Sequence, residues 1–378
     1  MFRNHPKERR NTMSAGNTLF DYLDWRGDLP MTAIPFQEID GMILSRFVYA
    51  PFHLTSLKRT RQFVSVSGIL KELLAITDLS EKVLDEGDIA LFKALEKSPR
   101  FCNLKIGNFV DLFDEKRELQ FSACTFEITP TLSCICYRGT DNTLIGWKEN
   151  FNMGFSCPIP SQELALQYFE SYAQSTNAFF ILAGHSKGGN LAAYASAFCK
   201  PDIQQRIETV YSYDGPGFVA KILSAPEYLS ICSKIHTYVP QSSMVGILLG
   251  HKEEHSVVHS METRIPFQHN MYSWCIYGTS FVLEDTLSDT SRYFDSTMRD
   301  WLASMSYEQR EHFVEGVFSI VSSTDARTLD DLKSNLLSNS KLILQNMRSL
   351  DEETKEVISE GLSLFLKSAK NSLSILRS

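Results

Sequence analysis

Hydrophobic and polar residues follow two different periods along the chain. Over residues 17–100 the apolar positions recur at helical spacing, which predicts helices at 18–23, 36–49 and 67–79. From Leu119 the period becomes strand-like, and the apolar runs 121–128 and 132–137 are separated by Thr-Pro-Thr. This pattern predicts a hairpin and places the start of the sheet there.

Beyond the hairpin, helix-like and strand-like segments alternate. The pattern predicts helices at 161–175, 187–199 and 218–223, and strands at 179–183, 209–213 and 235–239. Strands that alternate with helices of this length are typical of a mainly parallel sheet covered on both faces. The sequence therefore predicts an α/β fold.

After about residue 287 the strand signal ends and a helical pattern follows. Ser306-Tyr-Glu-Gln and Thr328-Leu-Asp-Asp resemble capping boxes, and a helical stripe runs through Leu362, Phe365, Leu366 and Leu373. We expect a flexible N-terminus at 1–16, an α/β domain at 17–287 whose residues 17–100 form a helical lead-in, and a helical C-terminal region at 288–378.

Composition narrows the class of protein. Of the 378 residues, 43% are hydrophobic and 22% are charged, which is typical of a globular protein with a sizeable core. The formal charge of −8 gives no basic footprint for nucleic acid. The eight cysteines are scattered, the N-terminus lacks a secretory apolar region, and no apolar run reaches the length of a membrane span. These features predict a cytoplasmic protein without a transmembrane segment.

The sharpest chemical signal is Gly184-His-Ser-Lys-Gly, which lies between an apolar strand and a helix of small residues. Gly-x-Ser-x-Gly in that context indicates a nucleophile elbow, a strained turn that exposes the serine hydroxyl. A side chain at 184 or 188 would clash, because the strand and the helix approach each other closely. We predict Ser186 as the nucleophile and the main-chain N–H of Lys187 as an oxyanion donor. The Lys187 side chain should point to solvent or to a neighbouring acid, and His185 should be a packing residue.

A serine hydroxyl needs a general base held by an acid. In enzymes with a nucleophile elbow, the base is a histidine that follows the serine in the chain and lies on a loop beside the elbow. His269, in the loop Pro266-Phe-Gln-His-Asn, fits this requirement, and His255 and His259 are the alternatives.

The strand end Arg138-Gly-Thr, with Trp147 nearby, resembles that of the class 3 (fungal-type) lipases, and the resemblance implies that Thr140 is the other oxyanion donor. The chain is also similar, over most of residues 17–340, to a bacterial family of uncharacterised proteins with a lipase class 3-like α/β-hydrolase domain. This resemblance implies an α/β-hydrolase fold. The stretches that carry it are Phe20-Asp-Tyr-Leu-Asp-Trp-Arg-Gly-Asp-Leu, Ala183-Gly-His-Ser-Lys-Gly-Gly-Asn, Tyr211-Ser-Tyr-Asp-Gly-Pro-Gly-Phe, Val239-Pro-Gln-Ser-Ser-Met-Val-Gly and Gln268-His-Asn-Met-Tyr-Ser-Trp.

The position of the predicted acid in the chain differs from that in the class 3 lipases. Those lipases carry an aspartate after the strand that corresponds to 235–239, but Pro240-Gln-Ser-Ser holds no carboxylate. Asp214, one strand earlier, resembles the Gly-Leu-Asp-Pro arrangement of the pancreatic-type lipases. We predict Asp214 as the acid that orients His269. Glu253, Glu254 and a dyad completed by Ser243 are the alternatives.

Together these residues predict a serine hydrolase that cleaves a carboxylic ester of a small molecule or lipid through an acyl-enzyme, without a cofactor or a metal. A thioesterase or peptidase on the same scaffold is one alternative. Another is a non-catalytic protein of the same fold, whose helical C-terminal region docks a protein partner.

Two further segments are open to more than one interpretation. His255 and His259 are four residues apart, but the Ser-Val-Val between them is strand-like, so we expect no metal site there. The apolar segment 244–249 is either a mobile lid over an acyl pocket or a buried helical turn.

Overall fold

The computed structural model describes residues 16–141, 143–322 and 350–377, together with residues 328, 331, 342, 343 and 347. The helices of this part of the chain are α1 (Leu19–Arg26), α2 (Glu38–Phe47), α3 (Val66–Leu74), α4 (Gly87–Lys97), α5 (Pro99–Cys102), α6 (Leu144–Asn152), α7 (Pro160–Gln174), α8 (Lys187–Phe198), α9 (Pro201–Gln204), α10 (Ala220–Leu223), α11 (Pro226–Ile231), α12 (Asp289–Ala303), α13 (Tyr307–Ser322) and α14 (Glu352–Ser372). The strands are β1 (Val64–Ser65), β2 (Lys105–Asp114), β3 (Leu119–Thr129), β4 (Leu132–Tyr137), β5 (Phe179–His185), β6 (Ile207–Tyr213), β7 (Ile235–Pro240), β8 (His255–Val258), β9 (Ile276–Tyr277), β10 (Ser280–Phe281) and β11 (Leu283–Glu284).

The main sheet has the order β1-β2-β3-β4-β5-β6-β7-β8-β11. Strands β4 to β8 are parallel, whereas β1 to β3 and β11 pair antiparallel at the two sides. The central strand β5 is buried along its whole length after Phe179, which is why it reads as one continuous apolar run. The predicted α/β-hydrolase fold is confirmed.

The sheet begins earlier than the sequence pattern predicts. Strand β2 pairs with β3, and the two-residue β1 pairs with β2. The prediction that the sheet starts at Leu119 was therefore wrong. Strand β2 lies near the edge, is half exposed over much of its length and has a register shift between Gly107 and Val110, so it shows no clean alternation of apolar and polar residues.

Helices cover both faces of the sheet. On one face, residues of α2, α3 and α4 pack with Phe126, Ile181 and Tyr213. On the other face, α7, α8 and α11 pack with Phe180 and Leu182. The predicted helical lead-in is thus one of the two layers that bury the sheet, and α2 is buried at every position from Ile39 to Phe47.

The C-terminal helices pack on one another around Trp301 of α12. Its ring makes edge contacts with Phe313 of α13 and Phe365 of α14, with centroids 5.3 and 5.4 Å apart, and its Nε1 donates to Gly361 O at 2.8 Å. The predicted capping box at Ser306 is present, since Ser306 and Gln309 exchange hydrogen bonds of 2.8 and 3.1 Å. Among the described helices, none combines the length and the hydrophobicity that crossing a lipid bilayer requires.

Candidate active site

The carboxyl ends of β4, β5 and β6 lie side by side at one edge of the sheet. Tyr137 pairs with Gly184, and His185 pairs with Tyr213, in parallel register. Residues that follow these strands therefore meet at the place where open α/β sheets commonly bind ligands. They include Thr140, Ser186 and Asp214.

Ser186 occupies a sharp turn between β5 and α8. Its backbone has φ 58° and ψ −133°, and its N–H donates to Tyr213 O at 2.9 Å. A Cβ on Gly184 would lie 2.1 Å from the carbonyl carbon of Gly188, and one on Gly188 would lie 2.2 Å from Tyr137 O. Both glycines are therefore required for the close approach of strand and helix, as the elbow interpretation predicts.

Asp214 follows β6 and its side chain is completely buried. One oxygen, Oδ2, lies 2.6 Å from His269 Nδ1. The other, Oδ1, accepts hydrogen bonds from Ser243 Oγ at 2.5 Å and from the Gly246 N–H at 3.0 Å. The structure thus brings Asp214 and His269 together, although they are 55 residues apart in the chain.

The other carboxylates considered as the acid lie elsewhere. Glu253 accepts hydrogen bonds from Tyr228 Oη at 2.6 Å and Thr237 Oγ1 at 2.8 Å, and it pairs with His251 at 2.9 Å. Burial acts to raise the pKa of Glu253, but the hydrogen bond and charge of His251, together with hydrogen bonds from Tyr228 and the main chain, bring the pKa to about 2. Glu254 is exposed.

Ser243 contacts the predicted acid, not the predicted base. It lies in the loop after β7, the segment in which class 3 lipases would carry their aspartate. Here that loop instead supplies two hydrogen-bond donors, the Ser243 hydroxyl and the Gly246 N–H, to a carboxylate that comes from the preceding strand. Such donors replace part of the hydration that a carboxylate loses when it is buried.

His269 and Ser186 line one cavity. His269 is 29% exposed, and Ser186 is 8% exposed. Among the described residues no hydrogen bond joins Ser186 Oγ to the imidazole of His269. Such contacts are often long in enzymes without substrate and shorten only when the reacting group binds.

His185 does more than fill space. Its ring lies against that of His269, with centroids 4.4 Å apart, and its Nε2 lies 2.8 Å from His269 O. Its Nδ1 lies 3.2 Å from Tyr49 Oη, which in turn accepts from the Gly139 N–H at 3.0 Å. Burial lowers the pKa of His185 well below its usual value, helped by repulsion from His269 and Arg46. A neutral ring that accepts at Nδ1 and donates at Nε2 fits these partners and holds the His269 main chain.

The alternative bases are not placed beside Ser186. His259 pairs with Glu284 at 2.6 Å on the surface, and His255 is exposed on β8. Across the described residues, no group of three His, Cys, Asp or Glu side chains is arranged to hold a metal ion.

The side chain of Lys187 is buried against an acid. Its Nζ lies 2.6 Å from Glu149 Oε2 and 2.6 Å from Gln120 O, and neither Lys187 nor Glu149 exposes any of its side chain. Of the two directions that the sequence left open, the neighbouring acid is the one observed. The main-chain N–H of Lys187 is the first of α8, so it has no acceptor within the helix.

Thr140 follows β4 and lines the same cavity as Ser186 and Lys187. Its hydroxyl donates to Asn150 Oδ1 at 2.8 Å. Because the hydroxyl hydrogen is engaged there, the main-chain N–H is the group of Thr140 that can serve as an oxyanion donor.

The cavity beside Ser186 has a volume of about 240 Å³ and is lined mainly by apolar side chains. Helix α6 contributes Trp147 and Phe151, and helices α12 and α13 contribute a second set: Met298, Trp301, Leu302, Met305, Phe313 and Val314. The predicted helical C-terminal region, 288–378, thus contributes a wall of the site that the sequence did not predict. The sequence does contain an apolar helix face here, since the apolar residues 298, 301, 302 and 305 recur at helical spacing.

The segment 244–249 also borders the cavity. Val245, Leu248 and Leu249 line it, and the only regular feature is one turn closed by a hydrogen bond of 3.0 Å from the Leu248 N–H to Val245 O. Leu249 has φ 64°, in the left-handed region, so a right-handed helix cannot continue through it. The segment is thus an irregular wall and not a helix.

Two solved structures share a remote likeness with parts of the chain. One is a crystal structure of M37 lipase, with 14% identity and a TM-score of 0.36, covering 56% of this chain and 70% of that chain. The other is the native Rhizomucor miehei lipase propeptide complex, with 15% identity and a TM-score of 0.35, covering 58% of this chain and 66% of that chain. None of the curated proteins matches the sequence.

One family model matches more than half of the chain, and its description is Mbeg1-like. The match covers residues 95–319, which include the elbow, Asp214, His269, helix α12 and most of helix α13. Thr140, Ser186, Lys187, Asp214 and His269 therefore all lie within the matched region. The chain belongs to the Mbeg1-like family.

Proposed function

We propose that the protein is a serine hydrolase that cleaves a carboxylic ester with an apolar acyl group. The observation that carries the proposal is the Asp214–His269 contact of 2.6 Å at the wall of the cavity that Ser186 also lines. A nucleophile in an elbow, a histidine beside it and a buried acid behind the histidine together form the arrangement that activates a serine.

Each residue has a role in the proposed reaction. Ser186 Oγ attacks the ester carbonyl carbon while His269 Nε2 takes its proton, and Asp214 stabilises the resulting imidazolium. The carbonyl oxygen becomes an oxyanion held by the main-chain N–H groups of Thr140 and Lys187. As the carbonyl re-forms, the bond to the alcohol oxygen breaks and His269 returns the proton to it. Water then attacks the acyl-Ser186 intermediate by the same route, releasing the acid.

The lining of the cavity favours binding of an apolar acyl group over a polar one. Its walls from α6, α12 and α13 are aromatic and aliphatic, and burial of each methylene of a chain in such a pocket is favourable by about 0.8 kcal/mol. A lipid or fatty acyl ester fits this lining better than a peptide, whose amide groups would lose their hydrogen bonds to water.

The helical C-terminal region thereby has a proposed role different from partner docking. Arg310 of α13 donates to Gly154 O at 2.8 Å, and Phe151 of α6 packs edge-on against Phe318 at 5.8 Å. These contacts support α12 and α13 as part of the acyl-binding site. The division at residue 288, a bacterial origin and a cytoplasmic location stay predictions.

A non-catalytic protein of the same fold is the second candidate. The loop after β7 holds no carboxylate, which favours this candidate, but the contact of 2.6 Å between Asp214 and His269 supports the enzyme. Hydrolysis of p-nitrophenyl esters by purified protein separates the two candidates. We expect turnover that Ser186→Ala abolishes, with unchanged thermal stability. Equal rates for the wild type and Ser186→Ala would contradict the proposal that the protein is a serine hydrolase.

The leaving group separates an esterase from a thioesterase or peptidase. Oxygen esters, thioesters and anilides that share one acyl chain should be compared at equal acyl length. Faster turnover of the oxygen ester relative to its uncatalysed rate supports the proposal, whereas a preference for the anilide would move the assignment to a peptidase.

A further inference from the structure

Three consecutive residues of α6 contact three different parts of the site. Lys148 Nζ lies 2.9 Å from Glu315 of α13, the helix that also contributes Phe313 and Val314 to the apolar wall. Glu149 pairs with Lys187, directly after the nucleophile. Asn150 accepts a hydrogen bond of 2.8 Å from Thr140. One short helix is therefore joined to the wall of the cavity, to the elbow and to the strand end that carries Thr140.

The central contact is a fully buried ion pair whose polar atoms are satisfied. Lys187 Nζ donates to Glu149 Oε2 at 2.6 Å, to Gln120 O at 2.6 Å and to Gln120 Oε1 at 3.0 Å. Glu149 in turn accepts main-chain N–H groups of Ser161 at 3.0 Å and Gln120 at 3.2 Å. Burial lowers the pKa of Lys187, and the charge of Glu149 opposes that effect.

A buried pair of this kind needs an explanation other than stability. Removing two charges from water costs several kcal/mol, and well-packed uncharged replacements are often equally stable or more so. What the pair supplies here is a fixed geometry, because ionic hydrogen bonds are short and directional. A leucine in place of Lys187 would fill space without fixing α6 in one register.

We propose that the Lys187–Glu149 pair is a positioning device for the oxyanion hole. The two proposed donors are the N–H groups of Thr140 and Lys187, and α6 is bonded to the residues that carry both, through Asn150 and Glu149. Neither side chain of the pair contacts the reacting atoms, since both are buried behind the elbow. The inference rests on the proposed hydrolase function, and it assigns these side chains a role in kcat and not in substrate affinity.

The test uses the full chain and the double variant Lys187→Met, Glu149→Gln. Each single variant leaves one charge buried without a partner and should be strongly destabilised. The double variant removes both charges, so its Tm should recover to near that of the wild type. If the pair positions the donors, kcat for a short p-nitrophenyl ester should still fall by about 10- to 100-fold, with KM changed by less than about 3-fold, because one misplaced oxyanion donor costs up to about 10²–10³ in rate.

A matched control removes a surface ion pair by the same substitutions. The exposed Lys105 of β2 and the half-buried Glu127 of β3 lie 3.2 Å apart at the surface. Lys105→Met with Glu127→Gln should leave kcat within about 2-fold of the wild type, since exposed pairs contribute little.

Each outcome bears on a different claim. A double variant with recovered Tm and wild-type kcat would overturn the positioning role. If the double variant does not fold, Glu149→Asp is the second test, because it retains both charges but shortens the side chain that joins them. An unchanged kcat in Glu149→Asp would also overturn the positioning role. A wild type that neither turns over esters nor forms a covalent adduct at Ser186 would overturn the hydrolase proposal itself, and this inference with it.

Discussion

Ser243 Oγ donates a hydrogen bond of 2.5 Å to Asp214 Oδ1, on the opposite oxygen from the one that contacts His269. The loop after β7 thus holds the acid of the preceding strand instead of providing its own. The same loop is joined to α12, because Ser291 Oγ donates to Ser243 O at 2.6 Å. The loop that holds the proposed acid is therefore itself bonded to α12.

Ser243→Ala should lower kcat about tenfold. A hydrogen bond to a charged group contributes about 1.5–3 kcal/mol, and its loss leaves Oδ1 of Asp214 with the Gly246 N–H alone. The matched control is Ser242→Ala, because the neighbouring Ser242 hydroxyl bonds to Ser288 Oγ at 2.9 Å and not to Asp214. Steady-state kinetics of the two variants decide the point, and equal kcat values would argue against a role for Ser243.

Asp214→Asn should reduce kcat by about 10²–10⁴-fold while the protein stays folded, because an amide cannot stabilise the imidazolium or enforce the tautomer of His269. Glu253→Gln tests the rejected alternative. It should lower the free energy of unfolding but leave kcat within about 3-fold, since Glu253 contacts Tyr228 and Thr237 instead. A larger loss of kcat in Glu253→Gln than in Asp214→Asn would reverse the assignment of the acid.

His185 should make the stability of the fold sensitive to acid. Its folded-state pKa is depressed by burial, so the unfolded chain binds a proton more readily, and folding is destabilised as the pH falls below about 6.5, the usual value of histidine. Urea unfolding of wild type and His185→Gln between pH 8 and pH 5 measures the effect. The stability difference between them should shift in favour of the variant as the pH falls, and parallel pH curves would contradict the depressed pKa.

The α/β order and the elbow follow from local rules that the sequence displays. Gly184 and Gly188 are recognisable because a strand and a helix flank them, and Asp214 directly follows β6. His269 ends a short 3-10 helix, Ile265–His269, where the sequence predicted a loop. The Lys187–Glu149 pair, the contact of His185 with His269 O and the hydrogen bond from Ser243 to Asp214 depend on register between distant strands and helices. No local pattern specifies those distances. Strand β2 was missed because its register shift between Gly107 and Val110 interrupts the alternation of apolar and polar residues.

The proposed acyl site predicts a change in chain-length preference. Met298→Trp adds a large ring to the wall formed by α12, so activity on long-chain esters should fall at least tenfold more than activity on acetate esters. Asp300→Trp places the same ring on an exposed position of α12 and serves as the control. The measurement is kcat/KM over a series of p-nitrophenyl esters, and an equal loss at every chain length would argue against acyl binding at this wall.

The central claim is that Ser186 is an activated nucleophile. The most direct measurement is labelling of the folded protein with a fluorophosphonate, followed by mapping of the adduct by mass spectrometry in the wild type, Ser186→Ala, His269→Ala and His259→Ala. We expect an adduct on Ser186 in the wild type and in His259→Ala, loss of most of the labelling in His269→Ala, and no adduct in Ser186→Ala. A folded wild-type protein without an adduct on Ser186, or full labelling in His269→Ala, would contradict it.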